Sequence, residues 1–160
     1  MTVSQIPLFW WPLRCDLWGV IVIPLDLRQN VVLERFEFNV SLSILPRMEE
    51  WIYWTLQSIT SSLFKEFVIW VLTEGYLWGP VNGDGWKAVD ALLNTLAERN
   101  PNFRVVIKGC FYSFLHGVRG GFEGVRSLVE GSLPLALSNG LVKFECVPRA
   151  ENRFRKLGVF

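Results

Sequence analysis

Three stretches of this 160-residue chain place apolar side chains at positions i, i+3 and i+5. They are Leu33, Phe36 and Phe38; Phe64, Phe67 and Ile69; and Leu141, Phe144 and Cys146. A looser copy starts at Phe103. Side chains alternate across a strand, so i+3 and i+5 share one face of a short strand. Between successive copies lies an amphipathic stretch long enough for a helix. A chain that alternates strand and helix in this way has few solutions. Helical crossovers make the strands parallel and right-handed, which puts the helices on one face of one sheet.

The elements follow from local pattern. Residues 33–42 alternate, with Phe36, Phe38, Val40 and Leu42 on one side and Glu37, Asn39 and Ser41 on the other. Pro46 suits a helix start, and Met48, Ile52, Leu56 and Ile59 form a helical stripe over about 47–60, with Trp51 beside it. Residues 63–73 are almost continuously apolar, which describes an interior strand covered on both faces. Residues 75–85 form a Gly-rich loop. Asp84 reads as the N-cap of a helix over about 85–99. That helix has Trp86, Val89, Leu93 and Leu96 inward and Asp90 on its outer side. A strand from Phe103 to about Tyr112 follows, then a helix over about 121–137 with Phe122, Val125, Leu128, Val129 and Leu133 inward. Pro134 splits that helix near its end. Asn139-Gly140 reads as its left-handed C-cap, and residues 141–147 as the last strand. The motif starts, at 33, 64, 103 and 141, lie 31, 39 and 38 residues apart. Leucine-rich repeats have the same strand signature at about 20–29 residues. The expected fold is therefore α/β: a short, degenerate leucine-rich-repeat-like βα array over 31–147, with a mostly parallel sheet of four to five strands.

Half of the chain (51%) is hydrophobic and 19% is charged, with eight Trp and twelve Phe. This predicts an aromatic-rich core and some exposed apolar surface. A net charge of +1 argues against a nucleic-acid footprint. Residues 148–160 form a basic tail in which Arg149, Arg153, Arg155 and Lys156 face only Glu151. Residues 1–30 form an apolar segment. Within it, Arg14 and Asp16 interrupt the window from Ile6 to Leu25, which argues against a membrane span. No Lys or Arg precedes that window, so the basic region of a signal peptide is missing. Trp18–Leu25 reads as an edge strand or cap, with Phe9, Trp10 and Trp11 packing nearby. Cys15, Cys110 and Cys146 are odd in number and lack metal-ligand spacing. Buried thiols in an intracellular protein follow from this, with a Cys110–Cys146 disulfide the less favoured alternative.

Groupings that could carry chemistry are sparse. His116 stands six residues from Cys110 without a third orienting group. Gly117–Gly124 opens a helix after a strand, where backbone N–H groups can hold phosphate. Its spacing matches neither dinucleotide nor P-loop motifs, and Glu123 would repel an anion. A small enzyme or nucleotide-binding domain using that loop is the alternative reading. Glu49 and Glu50, or Asp84 and Asp90, do not form a facing carboxylate pair. No metal, cofactor or catalytic residue is expected.

Several pieces, in order, resemble the C-terminal region of uncharacterised proteins of mushroom-forming fungi. Many of these carry an F-box followed by degenerate leucine-rich-like repeats. The pieces are Leu33–Phe38, Trp51–Ile59 with Ser61–Phe64, Gly85–Leu93, and Leu133–Leu135 with Gly140–Val142. The resemblance runs from Leu33 to Val147, about three quarters of the chain. The resemblance implies a non-enzymatic domain that holds a protein target for ubiquitin ligation. No F-box-like stretch precedes Leu33, so the chain reads as a terminal fragment, a short paralogue or a truncated gene model.

A βα array leaves one sheet face without helices, and that face is where a partner would dock. Alternation assigns Glu37, Asn39, Val68, Trp70, Arg104, Lys108 and Glu145 to it. Val68 and Trp70 are apolar where water would be expected. Either a local segment such as Phe9–Trp11 covers them, or Trp70 anchors a protein partner.

Overall fold

The computed structural model describes residues 25–41, 45, 48–72, 84–110 and 122–146. Its elements run β1 (Arg35–Ser41), α1 (Glu49–Gln57), β2 (Glu66–Leu72), α2 (Asp84–Arg99), β3 (Arg104–Cys110), α3 (Phe122–Ser132), α4 (Pro134–Ser138) and β4 (Val142–Cys146). The four strands form one sheet in the order β1-β2-β3-β4, with every neighbouring pair parallel. This is the α/β architecture that alternating strand and helix patterns dictate. The edge strand or cap expected at 18–25 and the basic tail lie outside the described residues, except Leu25, which is in no strand.

Register assigns the two sheet faces. Phe36, Phe67, Val105 and Val142 are mutual partners, as are Phe38, Ile69, Ile107 and Phe144. With Val40 and Val71 they face the helices and join one apolar cluster with Ile52, Leu56, Val89, Leu93, Val125 and Val129. The core changes character across the sheet. Under β1 and β2 it is aromatic: Phe36 stacks on Phe67 at 6.1 Å, and Phe38 lies 5.6 Å from Phe67 and 5.1 Å from Trp51. Under β3 it is built from Val105, Ile107, Val125, Val129 and Leu93.

The register corrects the reading of the fourth motif copy. Phe36 and Phe67 are partners, as their shared i+3 position predicts, but Phe144 aligns with Phe38 and Ile69, the i+5 residues. The copy beginning at Leu141 is thus offset by two residues. Two is the strand period, so the apolar side chains stay on the helix face and the pattern survives although the spacing does not.

Helix ends explain the connections. Pro134 separates α3 from α4 as its missing N–H requires, standing at the first helical position of α4. Gly140 closes α4 with φ at 68°. Its N–H donates to Leu137 O at 3.0 Å, and the Leu141 N–H donates to Ala136 O at 2.8 Å. These two bonds are the Schellman pattern, which needs a left-handed residue and favours glycine. Asp84 is the first residue of α2 rather than its cap, and its carboxylate pairs with Lys87 Nζ at 2.9 Å.

Asp90 departs most from expectation. The helical pattern puts it on an outer side, yet it is 2% exposed. Its Oδ2 and Oδ1 accept the backbone N–H groups of Leu135 and Ala136, each at 2.8 Å. The residue before α4 is Leu133, which offers no capping side chain. A carboxylate from α2 therefore caps the short helix through space. Asn94, one turn further along α2, accepts from Asn139 Nδ2 at 2.7 Å and extends the polar seam.

The turns before the strands are tied to one another in the same lateral direction. Asn100 ends α2, and its Nδ2 donates to the carbonyl oxygens of Phe64 and Ser62. Ser58 Oγ donates to Leu25 O at 3.0 Å and accepts from the Leu27 N–H at 2.9 Å. Leu33, Phe64 and Phe103, the first residues of three motif copies, are all buried in these turns. The first apolar residue of the motif thus seals the bottom of the core rather than belonging to a strand.

Candidate functional site

All seven residues assigned by alternation to the open face lie in the register rows of the sheet face opposite the described helices. The rows run, in order along the strands, Arg35–Glu66–Arg104, then Glu37–Val68–Val106–Lys143, then Asn39–Trp70–Lys108–Glu145. Four further members, Arg35, Glu66, Val106 and Lys143, were not singled out from the sequence. They follow from the same period of two. Each stands two residues from a member already assigned on its own strand, so its face is readable there; register adds only which residues meet across strands.

The first row is an ion-pair bridge over three strands. Arg35 Nη1 lies 2.6 Å from Glu66 Oε2, and Arg104 Nη2 and Nε each lie 2.7 Å from Glu66 Oε1. Arg35 also binds Glu37 Oε2 through Nη2 at 2.8 Å. Guanidinium forks on a carboxylate form charge-assisted bonds with fixed geometry. Glu66 is 9% exposed and has both oxygens occupied. A shallow hollow of about 240 Å³ lies beside this row, lined by Glu34, Arg35, Lys65, Glu66, Asn102 and Arg104. Its cations face Glu34, Glu37 and Glu66, so the hollow presents matched charge.

The remaining charges are Lys108 and Glu145 of the third row and Lys143 at the end of the second. Glu145 Oε2 lies 2.9 Å from Lys108 Nζ, and Oε1 lies 3.0 Å from Lys143 Nζ. The hydrogen bond from Lys108, then that from Lys143, hold the Glu145 carboxyl below its ordinary value. Lys108 Nζ also lies 5.4 Å from the centroid of the Trp70 ring, a cation–π arrangement. Trp70 is half-buried.

Between these polar rows, Val68 is 0% exposed and Val106 1%. Both lie outside the apolar cluster on the helix side. Val68 is therefore not an apolar side chain facing water. The continuous apolar run of β2 gave the correct cue, a strand covered on both faces, whereas alternation alone gave the opposite one.

Among the described residues, the other sequence candidates do not come together in one site. Cys15, His116 and residues 117–121 of the Gly-rich loop lie outside the described residues, and Phe122–Gly124 open α3. Cys110 pairs in register with Leu72 and Cys146 with Gly109, one position apart along the ladder. Glu49 and Asp84 begin different helices, and Asp90 serves as a cap. Among the described residues no group of three or more His, Cys, Asp or Glu could hold a metal ion. No described helix is long and apolar enough to cross a membrane. Comparison with family models, curated proteins and solved structures gives no match.

Proposed function

We propose that this chain acts without chemistry of its own, as a protein-interaction or structural α/β domain. Its recognition surface is the third row of the sheet face opposite the described helices: Asn39, Trp70, Lys108 and Glu145. The observation that supports this reading is Trp70, a half-buried indole held under an ammonium group that is itself fixed by a carboxylate. An aromatic anchor ringed by ordered polar groups is the anatomy of a binding hot spot. The buried Val68 and Val106 direct the proposal to this row rather than to the whole face. The target-holding role implied by the F-box-associated resemblance is part of the proposal, and an in-frame F-box encoded upstream of Met1 would support it.

Quantitative affinity capture from native lysate tests the reading. Wild type is compared with Trp70→Ala and with Leu63→Ala, an exposed apolar control in the turn before β2. Loss of an anchor costs about 2 kcal/mol or more, so recovery of a true partner should fall roughly thirtyfold with Trp70→Ala and stay constant with Leu63→Ala. Equal recovery by wild type and Trp70→Ala would remove the anchor role, and no specific protein with either would remove the interaction reading.

A further inference from the structure

We draw no further inference here: the strongest candidate, the buried Val68–Val106 pair on the sheet face away from the helices, carries nothing because nothing among the described residues shows what covers it.

Discussion

Two carboxylates show how single residues set local stability in this fold. Asp90 accepts two backbone N–H groups at the start of α4, and it is nearly inaccessible to water. Asp90→Ala strands both donors, which costs about 1–3 kcal/mol. The urea midpoint should fall accordingly, and Asp90→Asn, which keeps an acceptor oxygen, should recover part of the loss. An unchanged midpoint for Asp90→Ala would show that the cap is not needed. Nothing local in α2 marks Asp90 for this task, since its partner lies 45 residues away. The one available cue is at the other end: Leu-Pro-Leu starts a helix without a capping side chain, so an acceptor must come from elsewhere. Glu145 behaves differently because it is partly solvated. Its carboxyl is lowered from 4.5 by Lys108 and then Lys143, so its pairing adds stability above pH 4.5 and loses it as pH falls through the lower folded value. The midpoints of wild type and Glu145→Gln should differ at pH 6 and converge in strong acid, and the gap should shrink in high salt. A gap that persists at low pH would assign the effect to packing instead.

At the scale of elements, the two glycines Gly85 and Gly131 make opposite predictions from the same substitution. Gly131 lies in the last turn of α3, and a Cβ built there meets nothing within 4 Å. Gly131→Ala should stabilise the protein by about 0.5–1 kcal/mol through helix propensity alone. Gly85 lies in the first turn of α2, where an added Cβ would overlap Glu49 Cγ and crowd Glu49 Cβ at 3.2 Å. Glu49 begins α1, so the clash presses two helix starts apart. Gly85→Ala should therefore destabilise despite its better propensity, and adding Glu49→Ala should reverse the loss. Thermal melts of the four variants decide it: additive effects of Gly85→Ala and Glu49→Ala would mean the two residues are not in contact. Helix and strand positions were legible because each carries its own period, 3.6 or 2. The meeting of Glu49 with Gly85 was not, because which helix starts face each other depends on crossovers of about ten residues or more. The offset of the Leu141 motif has the same origin, since hydrophobic alternation fixes a face but leaves register free by two residues.

For the whole molecule, the question is how many layers cover the sheet. Helices cover one face, and the residues that reach the other face are mostly charged and mutually paired. Surface pairs of this kind add little stability each, typically less than about 1 kcal/mol. They are better understood as fixing strand register, since Glu66 ties β1 to β3 across β2. Were the face open to water, Val68 could be exchanged for any good strand former. Its complete burial says otherwise and gives a sharp test. Val68→Thr preserves shape and strand propensity but adds a hydroxyl. At a solvated position that change is close to neutral. At a buried position the hydroxyl must be desolvated, which costs about 1–3 kcal/mol when no acceptor is in reach. Val106→Thr, on the neighbouring strand, should repeat the loss, since the two valines are register partners. Thr in place of an exposed valine, Val31, supplies the baseline. If Val68→Thr and Val106→Thr both melt with Val31→Thr and wild type, the face is solvated and the alternation in the sequence described it correctly. If both fall well below, the sheet is sealed on both sides at its centre, and recognition on this face falls to the rows that flank the two valines, that of Trp70, Lys108 and Glu145 among them.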